Sequence, residues 1–129
     1  MADKRHGWKV DVHRRENGKI PIAASICDLH EPAKSQAIEF IFDCMTKNIE
    51  LSRGKDILPK LPNSKALQDE GNLFESWKGQ LRLFYTLLPG HRMILLDILE
   101  KKRGKLPPYV IKRLRQLQQE VLTMGKSSN

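Results

Sequence analysis

A run of basic side chains near the end of this sequence is the feature best suited to chemistry on a phosphodiester. The stretch 101–129 carries eight Lys and Arg residues against one acid, which accounts for +7 of the total charge of +8. A cluster this concentrated is typical of a surface that binds a polyanion, with nucleic acid as the first candidate. Cations around a scissile phosphate also stabilise the charge that develops during its cleavage. Besides Lys126, the cluster contains Lys101, Lys102, Arg103, Lys105, Lys112, Arg113 and Arg115.

A predicted β-hairpin upstream of this cluster carries a further arginine and a carboxylate. Leu73–Trp77 and Gln80–Thr86 have strand-like patterns, and Lys78-Gly79 between them is typical of a two-residue hairpin loop. This register places Arg82 directly opposite Glu75, where opposite charges stabilise a cross-strand pair. The pair therefore has a structural interpretation beside any chemical one.

One more strand and one helix are predicted beyond the hairpin. Met93–Leu99 is apolar except for Asp97, which is typical of a central strand. After the basic run and two prolines, a helix is expected from about Pro108 to Leu122. Its apolar stripe would be formed by Val110, Ile111, Leu114, Leu117 and Val121.

The first half of the chain predicts one strand, two helices and a long connection. Trp8–His13 alternates apolar and polar residues, as a strand with one buried face does. Helices are expected over Pro21–Leu29 and from about Pro32 to Asn48. Residues 51–72 read as a loop, in which a short strand or turn is expected near Ile57-Leu58. The second helix would bury Ala37, Ile41, Cys44, Met45 and Ile49, with Ile38, Phe40 and Phe42 widening the stripe.

Length and composition favour a single α+β domain over residues 1–129, with 1–7 and 124–129 as loose tails. No apolar run is long enough to span a bilayer and no signal peptide is recognisable, so a cytoplasmic location without membrane contact is expected.

Cys27 and Cys44 lie in helical patterns and are expected to be buried. Neither they nor the four histidines have metal-ligand spacing, so no metal or cofactor is expected.

The order of four motifs in the second half resembles one family of proteins. Leu73-Phe74-Glu75, Leu81–Tyr85, Ile94-Leu95-Leu96 and the Lys101-Lys102 pair followed by Lys105-Leu106-Pro107 are similar to motifs of the phage-derived HigB-like toxins. These toxins belong to the RelE/ParE superfamily of toxin–antitoxin systems. The resemblance extends to about Leu117 and is architectural in the first half. It implies an α+β fold in which a small curved antiparallel sheet packs on two N-terminal helices, with a C-terminal helix.

This resemblance implies an activity and a set of partners. RelE-like and HigB-like toxins are ribosome-dependent endoribonucleases (mRNA interferases) that cleave messenger RNA and inhibit growth. Their partners are mRNA, the ribosome and a cognate antitoxin, which for this chain is expected to be a helix-turn-helix protein like HigA, with DNA contacted only through the antitoxin. The substrate's 2′-hydroxyl is the nucleophile, so the protein has to supply charge and orientation.

The resemblance also assigns roles to individual residues. Arg82 matches the family's strand arginine and would clamp the scissile phosphate. Arg103 or Lys102 would stabilise charge or act as the acid, and Tyr109 would stack on a base. The alternatives are that these basic residues only solvate a loop and that Tyr109 packs at the helix start.

Two carboxylates complete the candidate site. Glu75 is a possible general base, although an ion-paired carboxylate is a weak one. Asp97 stands where many HigB-like toxins have histidine; it is either a proton acceptor or a polar residue on the strand's open face.

Contacts to RNA or the ribosome are expected from Lys78, Lys101, Lys102, Lys105, Lys112, Arg113 and Arg115.

Two other function classes fit the same sequence. A ParE-like toxin shares the fold and inhibits DNA gyrase, or another protein, without cutting nucleic acid. A plain nucleic-acid-binding domain would use the basic final helix and would bind with a steep dependence on salt. Fold alone does not separate these classes.

Overall fold

The structure is a computed structural model that describes residues 9–47, 63–67, 71–90, 92–101 and 104–127. Its class is α+β, as expected, and the predicted elements occur in the predicted order with one short strand added. The Ile57-Leu58 expectation, Trp8 and the expected tail 1–7 lie outside the described residues. The elements are β1 (Lys9–Val12), α1 (Pro21–Cys27), α2 (Ala33–Lys47), β2 (Ser64–Ala66), β3 (Phe74–Lys78), β4 (Leu81–Leu88), β5 (Arg92–Glu100) and α3 (Pro108–Ser127).

The five described strands form one sheet in the order β1-β5-β4-β3-β2. Strands β2 to β5 are antiparallel neighbours, but β1 pairs with β5 in parallel. The sheet is therefore mixed, and the expectation of a wholly antiparallel sheet is wrong at this edge. A parallel pair needs a long crossover connection, which the chain between β1 and β5 supplies. The alternating pattern of β1 indicates which side is buried and carries no information about strand direction.

Two apolar clusters lie on opposite faces of the sheet because successive strand residues point to opposite sides. Leu83 and Tyr85 of β4 face α1 and α2, where Ile22 and Phe40 join them. The opposite face packs on the predicted stripe of α3, and we call it the α3 face. Its cluster contains Leu73, Phe84, Leu88, Ile94, Leu96, Leu114, Leu117 and Val121. Both faces of β4 and β5 are thus buried, and for β5 this agrees with the central strand predicted over Met93–Leu99.

The hairpin turn lies one residue later than expected. Lys78 pairs with Leu81, so the two-residue loop is Gly79-Gln80 and not Lys78-Gly79. Gly79 has φ +60°, and a glycine is favoured at the first loop position of a II′ hairpin because it adopts positive φ without strain. The register consequently moves by two residues, and Arg82 faces Trp77 where Glu75 was expected.

Two helical expectations also need correction. Cys27 is exposed, whereas Cys44 is buried as expected. Burial raises the pKa of the Cys44 thiol to about 12, so this group stays protonated. Helix α3 continues to Ser127, so residues 124–127 are not a loose tail.

The buried stripe of α2 is narrower than expected. Ala37, Phe40, Ile41 and Cys44 are buried, but Ile38, Phe42 and Met45 are 53%, 64% and 40% exposed. These three residues follow each other at intervals of four and three, so they form a second stripe on the outer side of the helix. A helix packed against one sheet can bury only one of its two apolar stripes.

Phe40→Ala and Phe42→Ala should therefore differ strongly in their effect on stability. Phe40 is 7% exposed, and its truncation should lower the free energy of unfolding by about 3 kcal/mol or more, because a core phenylalanine leaves a cavity. Phe42→Ala should change it by less than about 0.5 kcal/mol. Urea denaturation of the two variants measures both values, and equal losses would contradict the burial of Phe40 beside an exposed Phe42.

Candidate nucleic-acid interface

Four side chains on adjacent strands form a row across the α3 face. The register pairs Lys65 with Glu75, Glu75 with Phe84, and Phe84 with Asp97. Directly paired residues share one face of a sheet, and Phe84 belongs to the cluster packed on α3. The two predicted carboxylates therefore lie on the same face, on either side of Phe84.

Glu75 is buried and holds Arg82. The carboxylate is 3% exposed, and its Oε2 lies 3.4 Å from Nε of Arg82, with Nζ of Lys65 3.9 Å from Oε1. Arg82 Nη1 also donates to the carbonyl oxygens of Gly79 at 2.8 Å and Leu81 at 3.0 Å. The predicted ion pair thus exists, as a diagonal contact in place of a directly opposite one. Three contacts fix the guanidinium next to the hairpin turn.

Asp97 is buried and holds Arg113. Its Oδ2 accepts a 3.0 Å hydrogen bond from Nε of Arg113, and its Oδ1 accepts from Ser25 Oγ at 2.6 Å and from the Ile98 amide at 2.8 Å. Both carboxylate oxygens are occupied, which favours a structural role over proton uptake. Ser25 was not predicted, because a serine in a short helix carries no signal that it will reach a strand 72 residues away.

Most of the other predicted residues that the structure describes are exposed. Tyr109, in the first turn of α3, is 74% exposed, so it does not pack against the helix start. Lys101 is half-buried. Lys102 and Arg103, to which the sequence assigns charge stabilisation or proton donation, lie outside the described residues. The exposed members of the predicted basic surface are Lys78, Lys105, Lys112, Arg113 and Arg115.

A second polar cluster fixes α3 against the edge of the sheet. His13, buried just after β1, donates from Nε2 to Oε1 of Glu120 at 2.9 Å. Arg15 binds both oxygens of the same carboxylate, with Nε at 3.1 Å and Nη2 at 2.7 Å. Burial alone would raise the pKa of Glu120, but the hydrogen bonds from Arg15 and His13 outweigh it and lower the pKa below its usual value. This cluster was not predicted, since Glu120 is 105 or more positions from both of its partners.

Acid should weaken the fold partly through Glu120. Because its folded pKa is lowered, the contribution to stability is complete above the unfolded value of 4.5 and is lost as the pH falls through the folded value. Glu120→Gln should therefore lose less stability between pH 7 and pH 3 than the wild-type protein. Urea midpoints across this range measure the difference, with Glu16→Gln as the matched exposed control. Parallel curves for Glu120→Gln and wild type would refute this role.

Metal-binding and membrane-spanning features are absent from the part of the chain that the structure describes. Within these residues, no group of three or more His, Cys, Asp or Glu side chains is arranged to hold a metal ion. Over the same ranges, no helix has the length and apolar character to cross a membrane.

Comparison with known proteins gives distant structural likenesses. Neither a protein-family model nor a curated protein matches this sequence. A chain of the RelBE2 toxin–antitoxin complex from Mycobacterium tuberculosis is 17% identical with a TM-score of 0.49, and the match covers 78% of this protein and 98% of that chain. A chain of the archaeal RelE–RelB complex from Pyrococcus horikoshii is 13% identical with a TM-score of 0.46, covering 76% and 99%. At these values neither likeness assigns the protein to a family.

Proposed function

We propose that this protein is the toxin of a type II toxin–antitoxin system and acts as a ribosome-dependent endoribonuclease of the HigB-like type. Its substrate would be mRNA on the ribosome, and a cognate antitoxin, of the HigA-like helix-turn-helix kind, would hold it inactive. The proposal rests on the ordered motifs of the second half and on the surface that those motifs form in the folded chain.

One observation carries the proposal. Arg82 and Arg113 are each held by a buried carboxylate, and the two carboxylates lie on one face of the sheet on either side of Phe84. Tyr109 lies one helical turn before Arg113, and residues four apart share a helix face. An exposed aromatic ring and two oriented guanidinium groups thus belong to one strip of surface. RNA recognition uses both features, because bases stack on aromatic rings and phosphates accept the arginine fork.

The arrangement suits a reaction driven by orientation and charge. The substrate's 2′-hydroxyl would attack the phosphorus and give its proton to water, the bond to the 5′-oxygen would break, and the leaving oxygen would take up a proton. Arg82 would bind the phosphate oxygens as negative charge develops on them, and Tyr109 would fix a neighbouring base by stacking. Lys102 or Arg103 would supply further charge or the proton. Glu75 and Asp97 are occupied by cations, so we assign them to holding the arginines.

Incubation of the purified protein with one message tests the proposal. The message is supplied either free or on translating ribosomes, and new RNA ends are mapped. The proposal predicts new ends only on the translated message. Salt-dependent RNA binding without new ends would favour a plain nucleic-acid-binding domain. Intact messages together with inhibited gyrase supercoiling would favour a ParE-like toxin.

A further inference from the structure

A chain of hydrogen bonds through Asp97 joins α1, β5 and α3. Ser25 of α1 donates to Asp97 of β5, and Asp97 accepts from Nε of Arg113 on α3. The Ile98 amide donates to the same carboxylate oxygen as Ser25 does. The Ser25 hydroxyl and the Ile98 amide therefore hold the Asp97 carboxylate in place beside the Arg113 guanidinium.

The contact with Asp97 leaves the outer part of the Arg113 guanidinium available for a ligand. Only Nε is used, and within the described residues Asp97 is the partner that the side chain meets. The Arg113 side chain is 46% exposed, whereas that of Arg82 is 19% exposed. The two Nη groups therefore form an oriented fork of donors at the protein surface, which matches the oxygens of a phosphate.

We propose that Arg113 binds a phosphate of the RNA next to the scissile one, and that Asp97 and Ser25 are positioning residues that set its orientation. This inference rests on the proposed function. The anchoring carboxylates of Arg82 and Arg113 are separated by two strand spacings, about 10 Å. The two arginines therefore suit different phosphates of one strand. Because a pre-oriented side chain loses less conformational entropy on binding, breaking the network weakens binding even when the charge stays.

The variant Asp97→Asn distinguishes the effect of Arg113 orientation on RNA binding from the effect of its charge. The substitution removes a negative charge from a basic surface, so a purely electrostatic role of Arg113 predicts tighter RNA binding. The network predicts the opposite, because both oxygens of Asp97 accept hydrogen bonds and an asparagine replaces one of them with an NH2 group that cannot accept. We expect Asp97→Asn and Arg113→Ala each to raise the half-saturating protein concentration for cleavage of a translated message by roughly 10-fold. In both variants the single-turnover rate at saturating protein should change far less. Arg82→Ala, in contrast, should reduce that rate.

Three further variants complete the experiment. The double variant Asp97→Asn/Arg113→Ala should be no weaker than Arg113→Ala alone, because the two residues act as one unit. Arg113→Lys keeps the charge and can still pair with Asp97, so it preserves the fold, but it lacks the fork and should bind about as weakly as Arg113→Ala. Arg92→Ala, an exposed arginine at the other end of β5, is the matched control and should bind as wild type does.

Wild-type or tighter binding by Asp97→Asn, or wild-type binding by Arg113→Lys, would overturn this inference while cleavage by the wild-type protein stands. Independent, multiplicative losses in the double variant would also overturn it. Absence of cleavage by the wild-type protein would refute the proposed function and this inference together.

Discussion

Arg82→Ala should lower the single-turnover rate of message cleavage by about 10²–10³-fold, the usual loss when one oriented donor to a developing charge is removed. Glu75 and two carbonyl oxygens fix the Arg82 guanidinium on the α3 face. The rate is measured with saturating protein on translating ribosomes. Arg92→Ala removes the same charge from the other end of the sheet and should cleave at the wild-type rate.

The second large effect is on stability. Arg82→Ala leaves the Glu75 carboxylate, 3% exposed, with Lys65 at 3.9 Å as its remaining cation among the described residues. Removal of one partner of a buried ion pair strands a charge, so the free energy of unfolding should fall by about 3 kcal/mol. Glu75→Gln/Arg82→Ala removes both charges and should recover most of that loss. Urea denaturation measures this double-mutant cycle, which compares the wild type, both single variants and the double variant.

The double variant also distinguishes the loss of cleavage from the loss of stability. Glu75→Gln/Arg82→Ala should be folded and still cleave slowly, because neutralising Glu75 does not replace the lost donor. A double variant that regains both stability and the wild-type cleavage rate would show that Arg82 serves only the fold. A double variant as unstable as Arg82→Ala would show that the buried charge is not the cause of the instability.

Much of the fold could be predicted from the sequence because it depends on local patterns. The strand-like patterns on either side of a glycine-containing turn indicate the hairpin, and the spacing of Leu114, Leu117 and Val121 indicates the buried side of α3, where these residues lie. The hairpin register could not be fixed this way, since a glycine is compatible with either loop position. The choice depends on how Lys78 and Leu81 pair in the whole sheet.

The candidate site could be predicted only in part. The sequence indicates Arg82 and Glu75 as partners, and the contact is present despite the shifted register. It gives no sign that Asp97 meets Arg113 and Ser25, because that network needs three elements to converge. The α2 stripe shows the same limit, since both Phe40 and Phe42 are apolar and only packing decides which one is buried.

Cleavage of mRNA during translation is measured by inducing this protein in bacteria and mapping the ends of abundant messages by primer extension. Cells that produce the wild-type protein should stop growing and show new message ends, which disappear when initiation on the mapped message is blocked. Cells that produce Glu75→Gln/Arg82→Ala at the same level should keep growing and show far fewer new message ends, and Arg92→Ala should behave as wild type. Growth arrest with intact messages, or new ends on untranslated RNA, would contradict the account.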